Sequence, residues 1–490
     1  MSAMQYLPEK IGVTEEIIEE KPLKVTSVNA RWLRQGALRL DGSHYAEEAF
    51  QAKRVLEGSS YPIEPLENLT RDIFMLPLKV KIPLAADDSS GAPYLMQSEL
   101  YYFRPMARKY IFPSRLDEPD KWRLKEGWVI VSQSGNVGIP LYVSRRLESF
   151  FVSPNPLRLL CNERILPGYL YAYLSSRIGH PLVVRDKFGG TVDHLLPHHL
   201  KALPVPLIPE EQRRQIHDKV VRAYRLRDEA NDLLDKAEVL LYEELGLPKF
   251  SENEAQYLHP EAKGFSTKVG ELRLRLDASY HTPLVRLILE KLKKGKYPLT
   301  AIGDPKISKR VFIPPRFKRI YVRQKHGVPF LQGTHIVEMK PYDLKYISQK
   351  FTQNLHQWIL RAGWVLVTCS GTIGRVTLTP DAWDDWAASQ HILRVVPNET
   401  ESNPGYIAAF LSSPFGYHQV VAGSYGAVVS EITAEHLSQV SIPLPPREVQ
   451  GKIGNPVLEA YEKKEEANQV EDEAVKMVED VIRRGATNGQ

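Results

Sequence analysis

The chain has 490 residues, a formal net charge of +5 and two cysteines, Cys161 and Cys369. That cysteine count supplies neither a disulfide framework nor a metal quartet, and no apolar run is long enough to span a bilayer. Glu9, Glu15, Glu16, Glu19 and Glu20 stand where a signal peptide would carry basic residues and an apolar core, so a reducing cytoplasm is the expected location.

In chain order, each half is expected to open on mixed, strand-like segments. Arg39-Leu40-Asp41-Gly42-Ser43-His44 comes first and returns 236 residues later as Arg275-Leu276-Asp277-Ala278-Ser279-Tyr280. Gly91-Ala92-Pro93-Tyr94-Leu95 returns at the same offset as Gly327-Val328-Pro329-Phe330-Leu331. The apolar, β-branched runs Trp128-Val129-Ile130-Val131 and Trp364-Val365-Leu366-Val367 predict short strands, each followed by a Gly-containing turn. Later matches shift to 237: Gly168-Tyr169 with Gly405-Tyr406, and His199-Leu200 with His436-Leu437. Gly168 to Ser176 and Gly405 to Ser413 show apolar residues at helical spacing. Chance matches would scatter in offset, so the chain consists of two similar halves, and such a chain suits a partner that is itself repeated.

Basic side chains crowd two stretches. Arg104, Arg108, Lys109 and Arg115 interleave with Tyr101, Tyr102, Phe103 and Tyr110 in the first half. In the second, Lys306, Lys309, Arg310, Arg316, Lys318, Arg319, Arg323 and Lys325 interleave with Phe312, Phe317 and Tyr321. One such run is more often a solvated face. Two at comparable places in a repeat favour a polyanion, because cationic side chains neutralise phosphates and aromatic rings pack on sugars and bases.

Each half closes on a long polar helix. The first follows Pro209, with Glu210 and Glu211 at the positive end of its dipole and Gly246 as its stop. Its seam is Ile216, Val220, Ala223, Ala230, Leu234, Ala237 and Leu241, which steps by four and three if Arg227 is counted. The second copy repeats the register with Ile453, Val457, Ala460, Ala467, Ala474 and Val478; Lys464 repeats the basic interruption. A heptad seam calls for a partner helix, and each half offers one to the other. Gly451, Gly454 and Pro456 would disturb the opening of the second helix, so Asn455 and Pro456 are an alternative N-cap and first turn. The divisions are thus 1–208 (with an extension at 1–28), a helix at 209–246, a polar linker at 247–271, a second domain at 272–446 and a second helix at 447–484.

These features together resemble the specificity subunit of type I restriction-modification systems. The resemblance is carried by the two Arg-Leu-Asp copies, by the Gly127-Trp128 and Gly363-Trp364 strands with their Ser-Gly turns, and by Ser389-Gln390-His391 with Arg394. Pro206-Leu207-Ile208-Pro209-Glu210-Glu211-Gln212 leading into Ile216 is its strongest element. It covers the chain from about Asn29 to Arg483. Two departures stand out: the second helix begins Pro445-Pro446-Arg447-Glu448-Val449-Gln450, and the first domain has Ser153-Pro154-Asn155 where the second has Ser389-Gln390-His391.

The resemblance implies an α+β fold: two pseudo-repeated α/β target-recognition domains separated by two long antiparallel helices in a coiled coil. It implies a non-catalytic DNA-binding subunit in a prokaryotic cytoplasm. Its partners would be double-stranded DNA and methyltransferase (modification) subunits, two in number, with restriction or translocase subunits as an open further partner. S-adenosylmethionine would sit on the modification subunit, with no cofactor on this chain. A helix from Pro209 to Leu245 would span roughly 50 Å, on the scale of the turn of B-DNA, about 34 Å, that separates half-sites. The expected target is bipartite and asymmetric. Its expected DNA contacts are Arg104, Arg108, Lys109 and Arg115, and Lys309, Arg310, Arg316, Lys318 and Arg319, mostly to phosphate.

Other signals point elsewhere only weakly. Ser132-Gln133-Ser134-Gly135 and Ser370-Gly371-Thr372-Ile373-Gly374 lack the Walker ending and the full dinucleotide fingerprint, and read as turns after strands. His194, His198 and His199 lack a completing carboxylate or thiol for a metal. Two other readings stay open. One is a specificity-like scaffold or inhibitor of another defence complex that has lost DNA reading. The other is an enzyme whose site would be a cleft of perturbed acids and bases present in one half only.

Overall fold

The computed structural model describes residues 42–85, 90–250, 266–272, 278–426 and 429–487. The two Arg-Leu-Asp copies at 39–41 and 275–277 lie outside them. The described residues divide into two compact units, one running up to Leu233 and resuming at Glu459, the other Leu234–Leu458.

The described part of the first unit opens on a helix, α1 (Glu47–Glu57), rather than on the expected strands. Ala49, Ala52 and Leu56 fall three and four apart and are buried along one stripe. There follow β1 (Ile63–Pro65), β2 (Thr70–Phe74), β3 (Leu84–Ala85), β4 (Ala92–Leu95), β5 (Lys109–Ile111), the single turn α2 (Pro119–Trp122), β6 (Val129–Val131), β7 (Pro140–Tyr142), β8 (Phe151–Val152) and β9 (Leu157–Cys161). Short helices α3 (Pro167–Ser175), α4 (Gly179–Val184) and α5 (Pro197–Lys201) precede β10 (Pro204–Pro206). The helix α6 (Glu210–Leu245) begins directly after Pro209 and ends at Gly246, whose φ of 64° is the left-handed conformation glycine adopts freely.

Three sheets organise this unit. One is four-stranded in the order β2-β9-β6-β7, a second has the order β3-β5-β4-β8, and β1 pairs with β10. All pairs are antiparallel except β4 with β8. Val129, Ile130 and Val131 of β6 are all buried, so both faces of that strand are covered and its sequence is a continuous apolar run rather than an alternation.

The second unit repeats this plan. Its sheets are likewise preceded by a helix, α7 (Pro283–Lys293), with Leu284, Ile288 and Leu292 buried at four-residue steps. Then come β11 (Leu299–Ala301), β12 (Ser308–Phe312), β13 (Tyr321–Val322), β14 (Gly327–Leu331), β15 (Lys345–Ser348), β16 (Val365–Thr368), β17 (Val376–Leu378), β18 (Ala387–Ala388) and β19 (Ile392–Pro397). Helices α8 (Pro404–Ser412), α9 (Pro414–Ala422) and α10 (Ala434–Ser438) lead to β20 (Ser441–Pro443) and α11 (Arg447–Thr487). The sheet orders are β12-β19-β16-β17, β13-β15-β14-β18 and β11-β20, strand for strand those of the first unit. Even the irregularity recurs: the register slips between Thr70 and Asp72 on β2, and between Ser308 and Arg310 on β12.

Helix α11 is continuous from Arg447 and carries Pro456 inside it, so the alternative start at Asn455-Pro456 is not taken. Asn455 does not cap, because its Oδ1 accepts from Asn403 Nδ2 at 3.0 Å. The close approach of α8 explains the local glycines: a Cβ on Gly405 would stand 2.2 Å from the Gly454 carbonyl oxygen. Leu247 and Phe250, assigned to the polar linker from sequence, pack within this unit; Leu247 is buried, and the Phe250 ring lies 5.3 Å from that of Phe415.

Within the first unit, α6 and α11 run antiparallel. Lys219 pairs with Glu473 and Arg222 with Glu466, each at 2.6 Å, and Glu229 with Lys463 at 2.7 Å. Exposed pairs of this kind contribute about 0–1 kcal/mol each. The apolar seam contributes more, and Ala223, Leu226, Ala467 and Val470 form one cluster in it. The thirteen seam residues expected from sequence are all buried: Ile216, Val220, Ala223, Ala230, Leu234, Ala237, Leu241, Ile453, Val457, Ala460, Ala467, Ala474 and Val478. Where the heptad is interrupted, Arg227 is buried and pairs with buried Glu471, which also accepts from the Tyr171 hydroxyl. Burial pulls against the Arg227 charge, but Glu471, Tyr224 and Tyr171 outweigh it and hold the guanidinium above its ordinary value. Lys464 lies 4.6 Å over the Phe103 ring.

Candidate nucleic-acid interface

The nine expected contact residues fall on different elements in the two units. Lys109 is on β5, with Arg104 and Arg108 in the approach to it and Arg115 in the turn that follows. Arg108, Lys109 and Arg115 are exposed and Arg104 is half-buried. Lys309 and Arg310 are on β12, an edge strand, while Arg316, Lys318 and Arg319 lie between β12 and β13. All of these but Arg319 are exposed. The expectation that the two basic stretches occupy comparable places therefore fails. The repeat equivalent of β5 is β15, and that of the β12–β13 segment is β2–β3. Both stretches are rich in Lys and Arg, but they belong to different strands of the same plan.

The register reveals a residue that the sequence reading missed. Lys109 is the partner of Tyr94, and Lys345 is the partner of Phe330. Lys345 is Lys109 plus 236, so the repeat offset alone could have found it. Phe330, Lys345, Ile347 and Tyr321 share one face of the second small sheet, because residues paired across strands and residues two apart point the same way. On that face Lys345 Nζ lies 5.3 Å from the exposed Tyr321 ring, and the Arg319 guanidinium lies 5.4 Å over buried Phe330. On their own elements, Arg115 covers Phe112 at 4.6 Å and Arg310 covers Phe312 at 4.2 Å.

An arginine on equivalent strands of the two units also lies fully inside. Arg158 on β9 donates to the carbonyls of Val152, Ser153, Pro154 and Pro156. Arg394 on β19 donates to those of Ala388 (2.7 Å), Ser389 (2.9 Å) and Ile392. Burial lowers Arg158 to about 10 and Arg394 to about 9, so the carbonyl dipoles carry the work of holding the charge. These arginines fix the loop that joins β8 to β9 and β18 to β19, where Ser153-Pro154-Asn155 stands in one unit and Ser389-Gln390-His391 in the other.

The glycine-containing turns are structural in both units. Ile139 N donates to Ser132 Oγ at 2.8 Å, and Arg375 N donates to Thr368 Oγ1 at 3.0 Å, so the equivalent hydroxyls close equivalent loops. His199 accepts from Leu196 N at 3.1 Å at the start of α5. Among the described residues no group of three or more His, Cys, Asp or Glu could hold a metal, and no helix is long and apolar enough to cross a membrane.

Residues 288–476 match the family model described as "Type I restriction modification DNA specificity domain". That stretch, which takes in β11 to β20 and most of α11, is similar to that domain. Among solved structures, the S subunit of a type I restriction-modification system from M. genitalium is similar over 87% of this chain and 96% of its own, at 11% identity and a TM-score of 0.32. The HsdS subunit from Thermoanaerobacter tengcongensis is similar over 87% and 96%, at 14% identity and 0.28. A chain from a structure on complex assembly and conformational transition of the type I R-M system is similar over 88% and 97%, at 15% identity and 0.29. No curated protein matches the sequence.

Proposed function

We propose that this chain is the DNA-reading subunit of a type I restriction-modification complex, that it recognises a bipartite asymmetric target with one part for each unit, and that it positions methyltransferase subunits there. The observation that carries the reading is the duplication itself: sheet orders, strand register, bulge and buried arginine repeat, while the equivalent β8–β9 and β18–β19 loops differ, Ser153-Pro154-Asn155 in one unit and Ser389-Gln390-His391 in the other. One scaffold presenting two different surfaces suits two different short sequences. The 36 residues of α6 amount to a rod of about 54 Å at 1.5 Å per residue, longer than the turn of B-DNA, about 34 Å, that separates half-sites. Transfer of the methyl group, with its S-adenosylmethionine, is assigned to two partner subunits, and any cleavage or translocation to further ones.

The direct test is purification with the products of neighbouring genes and mapping of methylated sites in genomic DNA. Two fixed sequences around an unread gap are expected; a continuous site would refute the reading. Within the interface, replacing Arg316, Lys318 and Arg319 together with Ala should weaken DNA binding and flatten its salt dependence by about two phosphate contacts, those of Arg316 and Lys318. An unchanged salt titration would remove these residues from the interface.

A further inference from the structure

The loop joining β18 to β19 has almost no backbone freedom. Arg394 holds the carbonyls of Ala388, Ser389 and Ile392. Cys369 holds the two between them: its backbone N–H donates to the His391 carbonyl at 3.0 Å, and its Sγ lies 3.8 Å from that of Gln390. Ser389 N donates in turn to Leu331 of β14 at 2.9 Å. Five consecutive carbonyls are thereby fixed, in a loop that carries the half-buried side chains of Gln390 and His391.

Those side chains are themselves ordered. Arg319 Nη2 donates to Gln390 Oε1 at 3.1 Å. A guanidinium has no acceptor, so this bond sets which way the carboxamide faces. Its nitrogen is then directed at His391 Nε2, 3.2 Å away. Arg319 is steadied from below by the Phe330 ring and is flanked in sequence by exposed Arg316 and Lys318. An arginine and a carboxamide, oriented before any ligand arrives and bordered by exposed cations, are the two groups that bind guanine and adenine edges bidentately in the major groove. Freely rotating surface lysines suit phosphate instead. In the other unit the equivalent loop is fixed by Arg158 and by its own two prolines, and it presents Asn155 between Pro154 and Pro156.

We infer that Arg319 and Gln390 are the specificity-determining residues of the Leu234–Leu458 unit, reading one or two adjacent base pairs, and that in the other unit, where the repeat sets Pro154 opposite Gln390 and Asn155 opposite His391, Asn155 presents the carboxamide of the equivalent loop. This rests on the reading of the chain as a DNA-recognition subunit.

The test uses the full chain, alone and with the subunits that co-purify with it, to select duplexes from a randomised pool that are then sequenced. Arg319→Ala and Gln390→Ala should each lower discrimination about 10- to 100-fold at the same one or two positions of one target part. Asn155→Ala should act in the other part only. Arg316→Ala should weaken all sequences alike. Gln390→Glu keeps an acceptor and loses the donor, so it should move the preferred base toward cytosine, which presents an amino donor but, unlike adenine, no N7 acceptor beside it, a change that loss of folding cannot produce. Melting temperatures close to wild type are expected for the Gln390 variants, because the loop backbone is held without that side chain. If wild type selects a sequence and the Arg319 and Gln390 variants select the same one, this inference falls and the proposed function stands. If wild type selects nothing, the proposed function falls with it.

Discussion

Replacing Glu471 with glutamine removes the charge that faces Arg227 and leaves the shape nearly unchanged. Arg227 is 4% exposed and Glu471 6% exposed, so water cannot substitute for the lost partner. An uncompensated buried charge of this kind costs about 3–5 kcal/mol. Tyr171 and Asn468 remain nearby as hydrogen-bonding neighbours, the Asn468 carboxamide at 2.8 Å from Arg227, which places the expectation toward the lower end. A chain with two units need not unfold in one step, so a local readout isolates this pair better than a global melting temperature. Hydrogen exchange at amides of α6 and α11 near 227 and 471 reads the local opening. At about 1.4 kcal/mol per factor of ten, exchange there should rise by roughly 100- to 1,000-fold. The double variant Arg227→Met with Glu471→Leu should recover most of that protection, because a matched apolar pair is often as stable as a buried ion pair. Exchange within threefold of wild type in Glu471→Gln would show that the pair is not what holds the helices at this level, and the reasoning from burial would be wrong.

Arg394→Met should destabilise the Leu234–Leu458 unit by at least about 3 kcal/mol, since three buried carbonyls lose a donor at about 1–3 kcal/mol each; a shift in the denaturant midpoint measures it. Gly405→Ala should cost about 1–3 kcal/mol because its Cβ meets the Gly454 carbonyl at 2.2 Å, whereas Gly190→Ala, with nothing within 4 Å, should stay within about 0.5 kcal/mol of wild type. Burial lowers His180, His217 and His335 below the ordinary value of 6.5. Their neutral forms are favoured in the folded state, so the unfolded chain binds more protons below that pH. Stability is complete above about pH 7 and declines as pH falls through 6.5 toward the folded values. His217→Asn keeps an acceptor for Gly168 N, which now donates to His217 Nδ1 at 3.0 Å, and should flatten the decline between pH 7 and 5.5 in thermal melts; an unchanged slope would remove His217 from the account.

Much of this architecture is legible in the sequence because the repeat is imperfect in only a few places. Val129–Val131 and Val365–Val367 predict their strands from apolar content alone, and the seams of α6 and α11 predict burial from spacing. The offset of 236 becomes 237 in the loop between β9 and α3 and its copy, where one unit has an extra residue. The opening helices α1 and α7 are harder to see. α1 buries two alanines and one leucine, too little apolar signal to separate helix from loop. β2 and β12 agree in kind at Thr70/Ser308, Arg71/Lys309, Ile73/Val311 and Phe74/Phe312, but at an offset of 238 rather than 236, which hides their equivalence and led to the misplaced pairing of the basic stretches. Arg158 and Arg394 illustrate a different limit. A charged residue in a strand reads as solvent-facing, and only the geometry of the carbonyls around it shows why it lies inside.

The pairing of β1 with β10, and of β11 with β20, has a consequence for how such a chain tolerates change. The polypeptide passes into each sheet assembly and out of it side by side, through a clasp three residues long on each strand. Everything between Pro65 and Pro204, or between Ala301 and Ser441, is a loop whose two ends already touch. Inserting, trimming or exchanging material there leaves the closing distance untouched, so the long helices that follow need not be rebuilt when the enclosed segment is replaced by another of the same plan.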